Sequence, residues 1–92
     1  MTLVLTVERL NGSENYKAWS MTLEAYLQME DIWDVVEKGP DGGDEDFHKD
    51  RRAKFVILCL VDSKLFKIMP ILRTANDVWE YLQRKYNPEN IK

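Results

Sequence analysis

The sequence predicts an all-α fold, a small bundle of about five short helices that follows an extended N-terminal arm. Apolar residues recur at helical spacing in several separate segments. These segments begin or end at residues that cap or break helices, such as Gly39-Pro40 and Pro70. Residues 2–8 have the composition of a strand but no second strand to pair with, so we expect them to form the arm. With 92 residues, the chain has the size of one small domain.

The first helix is predicted over residues 15–29, directly after a turn at Asn11-Gly12. Gly adopts positive φ without a steric penalty, which makes this dipeptide a turn signal. A side-chain oxygen of Ser13 or Asn15 is expected to cap the helix. The apolar stripe of this helix consists of Tyr16, Trp19, Leu23, Tyr26 and Leu27.

A second, short helix is expected where apolar residues return after residue 31. Asp31 is expected to cap its N-terminus, and Gly39-Pro40 is expected to end it. Its apolar residues are Ile32, Trp33, Val35 and Val36. Residues 40–46 then form an acidic loop with two glycines, but the spacing of an EF-hand is absent, so calcium binding is not expected.

The third helix, predicted over residues 45–61, is expected to be the central one. Its second half, residues 55–61, is apolar on every side and includes Ile57 and Leu58, which is typical of a helix buried all round. A buried strand is the alternative, because the run is short and β-branched at three positions. The single cysteine, Cys59, lies in this run and is expected to be buried in a reducing compartment.

The fourth and fifth helices both have capping signals. Asp62-Ser63 is expected to cap a helix over residues 64–69 that Pro70 ends, with Leu65, Phe66 and Ile68 packing inward. A capping box beginning at Thr74 opens the fifth helix, over residues 75–86, and Asn87-Pro88 ends it. The apolar stripe of the fifth helix consists of Ala75, Val78, Trp79, Leu82 and Tyr86.

Charge is distributed unevenly along the chain. Residues 1–46 carry a net charge of −8 and residues 47–92 one of +5, for a total of −3. The acidic half would repel the phosphate groups of a nucleic acid, so the composition does not favour nucleic-acid binding. A domain with one acidic and one basic half suits contact between copies of one protein, acidic face to basic face. The alternative is that the charges are merely solvated. A basic cluster in the third helix is either a solvated helix end or an electrostatic contact surface for nucleic acid or another subunit; it consists of Lys49, Arg51, Arg52 and Lys54.

The sequence does not predict an enzyme. Ser13 and Ser63 are explained as caps, His48 lies among charged residues, and the four glycines form no phosphate-binding loop. One Cys and one His give no metal-site spacing, so no metal is expected. Because no catalytic constellation and no phosphate-binding loop are found, neither a cofactor nor a small-molecule substrate is expected. No run reaches the roughly 18 apolar residues of a membrane span, and residues 1–10 do not form a signal peptide. The default expectation is a cytoplasmic protein without membrane contact.

Three motifs follow one another along the chain. The first is Leu-x-Gly-x-x-Asn-Tyr-x-x-Trp, formed here by Leu10, Gly12, Asn15, Tyr16 and Trp19. The second is Ile-Trp-Asp-Val-Val at residues 32–36, which includes Trp33 and Val36. The third, at residues 75–86, has the pattern Ala-x-x-x-Trp-x-x-Leu-x-x-x-Tyr. In this order the motifs resemble the Gag protein of copia-type long-terminal-repeat retrotransposons.

The resemblance implies a structural protein. The helical domain, residues 10–87, would be similar to the N-terminal lobe of a two-lobed retroviral-type capsid protein. Residues 1–9 would be the arm, and residues 88–92 the start of a linker to a C-terminal lobe that this sequence lacks. The Cys-Cys-His-Cys zinc knuckle of many Gag proteins is also missing, so nucleic acid would be a partner only indirectly, through regions absent here.

The implied function is self-association into the virus-like particle of the element, in the cytoplasm. The alternative is a domesticated, Gag-derived host adaptor that binds a partner protein through a helical groove, which the arm would occupy or guard. The three tryptophans are expected to be core residues, and a partly exposed one would mark a groove or a subunit contact.

Overall fold

The structure is a computed structural model that describes residues 8–90. Five α-helices follow in order: α1 Tyr16–Met29, α2 Trp33–Lys38, α3 Asp44–Cys59, α4 Ser63–Phe66 and α5 Ala75–Tyr86. Within the described residues there is no β-strand, only a single-residue parallel bridge between Leu10 and Val61. The prediction of a small all-α bundle is confirmed. The predicted strand-like arm falls mostly on residues 1–7, outside the described residues.

Helix α1 carries its apolar stripe as predicted, with all five stripe residues buried. The predicted cap was wrong, because neither Ser13 nor Asn15 bonds the free N–H groups of the helix. The Asn15 side chain instead holds the preceding turn. Its Oδ1 accepts from the backbone N–H of Asn11 at 3.0 Å, and its Nδ2 donates to the Arg9 carbonyl at 2.9 Å. Gly12, at φ 143°, has the positive φ that this turn requires.

The predicted role of Asp31 was also wrong. Asp31 does not cap α2 but ends α1 in the left-handed conformation, at φ 62°. Its N–H donates to the Gln28 carbonyl at 3.1 Å, and the N–H of Ile32 donates to the Leu27 carbonyl at 3.0 Å. This is the Schellman arrangement, in which the residue after the left-handed one packs on the last helical turn. Leu27 and Ile32 are both buried accordingly, and Gly39 ends α2 at φ 86°, as predicted.

Helix α3 is not buried all round, and the strand alternative is wrong as well. It packs against α2 and α5 on one side, where Asp50, Ala53 and Ile57 are buried. On the opposite side Phe55 is 68% exposed, and Cys59 is exposed rather than buried. The reason is that no described element covers this side of the helix. The apolar run therefore supplies both a core face and an uncovered apolar face.

Helix α4 is shorter than predicted and contributes one buried residue. Asp62 caps it as predicted, its Oδ1 accepting from the Lys64 N–H at 3.0 Å. Leu65 packs inward, but Phe66 is 51% and Ile68 61% exposed, contrary to expectation. The chain leaves the helix after one turn, and residues 67–74 continue as a loop beside the second half of α3.

Helix α5 has the bounds that the sequence predicted. The Thr74 hydroxyl oxygen accepts from the Asp77 N–H at 3.0 Å, which confirms the predicted cap. Every residue of the predicted stripe is buried. The N-cap, the continuous apolar stripe and the stop at Asn87-Pro88 therefore all favour the same helix bounds.

An aromatic cluster joins the helices at the centre of the bundle. Trp19 of α1 stacks on Trp79 of α5 with ring centroids 5.8 Å apart, and Trp33 of α2 meets Trp79 edge-on at 5.2 Å. The indole N–H of Trp19 donates to the Leu60 carbonyl at 2.9 Å. The same carbonyl accepts from the Leu10 N–H at 2.7 Å, so the segment before α1 is tied to the end of α3.

Candidate interaction surfaces

The sequence-predicted motif residues lie mainly in the core. Buried among them are Leu10, Tyr16, Trp19, Leu23, Leu27, Val36, Ile57, Val78, Trp79, Leu82 and Tyr86. Trp33 and Leu58 are partly buried at its edge. Gly12 and Asn15 form the turn that leads into α1. The first motif thus has a structural task, because its residues fix how the chain enters the bundle.

The predicted basic cluster is not gathered on one face. Lys49 pairs with Asp34 at 3.4 Å, and Arg52 pairs with Glu30 at 3.3 Å. The Lys54 ammonium donates to the Arg73 carbonyl at 3.2 Å. Arg51 is exposed. Three of the four cations therefore bind within the domain and tie α3 to its neighbours.

An apolar groove lies between the second half of α3 and the loop after α4. Its volume is about 320 Å³, and its lining includes Leu58, Phe66, Met69, Ile71 and Leu72. Ile71 is 99% exposed, the highest value among the large apolar side chains that the structure describes as exposed. Exposed apolar patches on small proteins commonly mark contact surfaces. We call this surface, with Lys54 at its margin, the apolar groove.

A second, acidic groove lies where α1, α2 and α3 meet. It has a volume of about 580 Å³ and is lined by Gln28, Asp31, Trp33, Asp34, Glu45 and Lys49. Trp33 is the partly exposed tryptophan of the three, and its ring forms part of the wall. Three carboxylates around one cation and an indole face make a site suited to a cationic and apolar group.

Two polar contacts that the sequence did not predict hold α5 in place. Asp50 is buried and accepts from the Ala75 N–H at 2.8 Å, which satisfies a free donor in the first turn of α5. The Asn76 amide donates to the carbonyls of Val36 and Glu37 at 2.7 and 3.2 Å. A signal for Asp50 was available, because it stands on the helical stripe of Ala53 and Ile57.

Buried tyrosines have a perturbed pKa. Burial raises the pKa of Tyr16 and of Tyr86 above the ordinary value of 10.0. The Tyr86 hydroxyl is buried without a hydrogen-bond partner among the described residues. Burial also raises the pKa of Tyr26, with a smaller contribution from Glu30 in the same direction. These hydroxyls stay neutral near pH 7 and are not suited to acid–base chemistry there.

Residues 8–90 contain neither a metal-binding cluster nor a membrane-spanning helix. This part of the chain has no group of three or more His, Cys, Asp or Glu residues placed to hold a metal ion. Nor does it contain a helix with the length and apolarity needed to span a bilayer.

Comparison with known families gives one match. Residues 10–37, which span the first motif, α1 and most of α2, match a family described as a domain of unknown function (DUF4219). Domains of this family are typically found in retrotransposon Gag-like proteins. The match covers less than a third of the chain. No curated protein and no solved structure matches the chain significantly.

Proposed function

We propose that the chain is a structural Gag capsid domain of a copia-type retrotransposon, the N-terminal lobe, which self-associates to build a virus-like particle in the cytoplasm. The observation that carries the proposal is the matched segment at residues 10–37. It contains two of the three Gag-like motifs, in a chain that folds as a small helical bundle.

The distribution of side chains supports the same function. Four of the motif aromatics, Tyr16, Trp19, Trp79 and Tyr86, are buried in the core, and only Trp33 is left partly exposed, at the acidic groove. What the surface offers is an apolar groove and an acidic groove, two features of protein–protein contacts. A particle repeats each contact many times, so even a weak contact suffices when many copies are held close together.

The apolar groove also favours one alternative, a domesticated adaptor that binds a partner protein. A groove lined by leucine, isoleucine, methionine and phenylalanine side chains can receive an apolar segment of another protein. The two functions differ in what binds the chain, because a capsid domain binds copies of itself and an adaptor binds a different protein.

Sedimentation equilibrium of the 92-residue chain tests the proposal. We expect the weight-average mass to rise above 10.9 kDa as concentration increases from about 10 μM to about 1 mM, the range in which a weak contact is populated. Electron microscopy of the most concentrated sample should show ordered assemblies. A mass that stays at that of the monomer over the whole range would contradict self-association.

A further inference from the structure

The apolar groove is bordered by positive charge. Residues 63–74, which form α4 and the following loop, contain three basic residues and no acidic one. Arg73 directly follows the groove-lining Leu72, and its carbonyl oxygen accepts from the groove-lining Lys54, so Arg73 stands at the margin. Its side chain is exposed and makes no ion pair with the described residues. The groove thus offers apolar surface, including the fully exposed Ile71, beside an unpaired cation.

The acidic groove has the complementary character. Residues 30–46 contain eight acidic residues and one basic residue, a net charge of −7. Glu45, on the wall of this groove, is exposed and makes no ion pair with the described residues. Trp33 gives the same groove an apolar wall. Each groove therefore has an apolar wall, and the charges beside the two walls are opposite in sign.

The two grooves cannot face each other within one molecule. At about 100° per residue, Lys54 and Leu58 project from one side of the buried stripe of α3, and Glu45 and Lys49 project from the other. The complementary surfaces are therefore on opposite flanks of the same helix. Contact between them requires a second molecule.

We propose that the apolar groove of one copy docks on the acidic groove of a second copy, with Ile71 placed against Trp33 and Arg73 facing Glu45. This inference rests on the proposed function and names the surfaces that carry it. The contact is heterologous, so each copy keeps one groove free for a further neighbour. Repetition of this contact gives a ring if the rotation closes and an open filament if it does not.

A second copy fits the apolar groove better than nucleic acid does. Phosphate binding is driven by several cations, whereas this groove has apolar walls and the chain as a whole carries a charge of −3. The apolar walls would stay in contact with water against a phosphate backbone. Against Trp33 they are covered.

Exchange of the facing charges tests the proposal. Arg73→Glu and Glu45→Lys each place like charges across the contact, and each alone is expected to weaken self-association about 10-fold or more. An equimolar mixture of the two variants restores opposite charges in every contact between unlike copies, so association should return towards the level of the unmodified chain. Sedimentation equilibrium measures all three samples, and circular dichroism melts check that each variant is folded.

Removal of the apolar contact gives an independent reading. Ile71→Asp changes a side chain that is 99% exposed and should leave the fold intact, while weakening association about 10-fold or more. Met21→Asp, at a residue on α1 that is 63% exposed, is the matched control and should have no effect.

The outcomes separate the two proposals. If the unmodified chain is monomeric at every concentration, the proposed function fails and this docking fails with it. If it associates, but Ile71→Asp has no effect or the mixture of charge variants does not recover, the docking is overturned and the proposed function stands. Recovery in the mixture alone, with both single variants impaired, supports the docking, because a general charge effect would not be repaired by mixing.

Discussion

Replacement of Trp19 by alanine tests whether the first motif builds the core. Trp19 is 3% exposed and lies between Trp79 and Tyr16, with ring centroids 5.8 Å away in each case. Because the neighbouring rings belong partly to another helix, the space left by the indole cannot be filled by a movement of α1 alone. The substitution should therefore leave a cavity at the contact of α1 and α5.

The expected loss can be worked out from these contacts. Truncation of a buried Trp to Ala costs about 3–5 kcal/mol. The Leu60 carbonyl that accepts from the indole also accepts from the Leu10 N–H at 2.7 Å, so it is not left unsatisfied. We therefore expect about 4 kcal/mol without an added penalty for a buried unpaired acceptor. A domain of 92 residues has a stability of about 5–14 kcal/mol, so the loss is a large fraction of the total.

Urea denaturation followed by far-ultraviolet circular dichroism measures the change without depending on tryptophan fluorescence. Trp33→Ala is the matched control, because Trp33 also contacts the Trp79 ring but is only partly buried. Its cost should be about half that of Trp19→Ala. A free energy of unfolding for Trp19→Ala within about 1 kcal/mol of the unmodified chain, or a larger loss for Trp33→Ala, would show that Trp19 does not hold α1 against α5.

Three further perturbations have defined outcomes. Asp50→Ala leaves the buried Ala75 N–H without its acceptor and should cost about 1–3 kcal/mol in urea denaturation, whereas Asp50→Asn, which keeps an acceptor oxygen, should cost less. Gly39→Ala forces a side chain into φ 86° and should lower stability by about 1 kcal/mol or more, while Gly43→Ala, at φ −84°, should be close to neutral in the same assay. Alkali should unfold the protein, because burial raises the pKa of Tyr16, Tyr26 and Tyr86 above the ordinary value of 10.0. The contribution of these neutral hydroxyls to stability is complete below pH 10.0 and is lost as the pH rises through their folded-state pKa values. Tyrosinate absorbance and circular dichroism should then change together, and ionisation of these groups without loss of helix would contradict the argument.

Much of the fold was predictable because its signals are local. Helix α5 has an N-cap at Thr74, a continuous apolar stripe and a terminating Asn87-Pro88, and each of these acts within a few residues. The stripe of α1 was predictable for the same reason. Both helices bury all the stripe residues that periodicity assigned to them.

Two residues have roles that the residue types around them did not reveal. Asp31 is a residue type favoured at N-caps, but here it follows the last turn of α1 and adopts the left-handed conformation that ends that helix. Asp50 stands on the stripe of Ala53 and Ile57, which indicates the buried face of α3, but its hydrogen bond with the Ala75 N–H depends on α5, 25 residues later. Local pattern does not contain that contact.

The apolar run of α3 shows why the candidate surfaces were harder to predict than the fold. Periodicity measures how apolar a helix face is, and it does not state whether the cover comes from the same chain or from another. Ile57 and Phe55 are two residues apart in one apolar run, yet the first is buried and the second is 68% exposed. A helix that is apolar on all sides is thus compatible with two partners, the domain's own core on one face and a neighbouring molecule on the other. Because α3 is only partly buried, apolar side chains such as Phe55 remain at the surface of the domain. In a small domain we expect such side chains to be covered by association with another molecule.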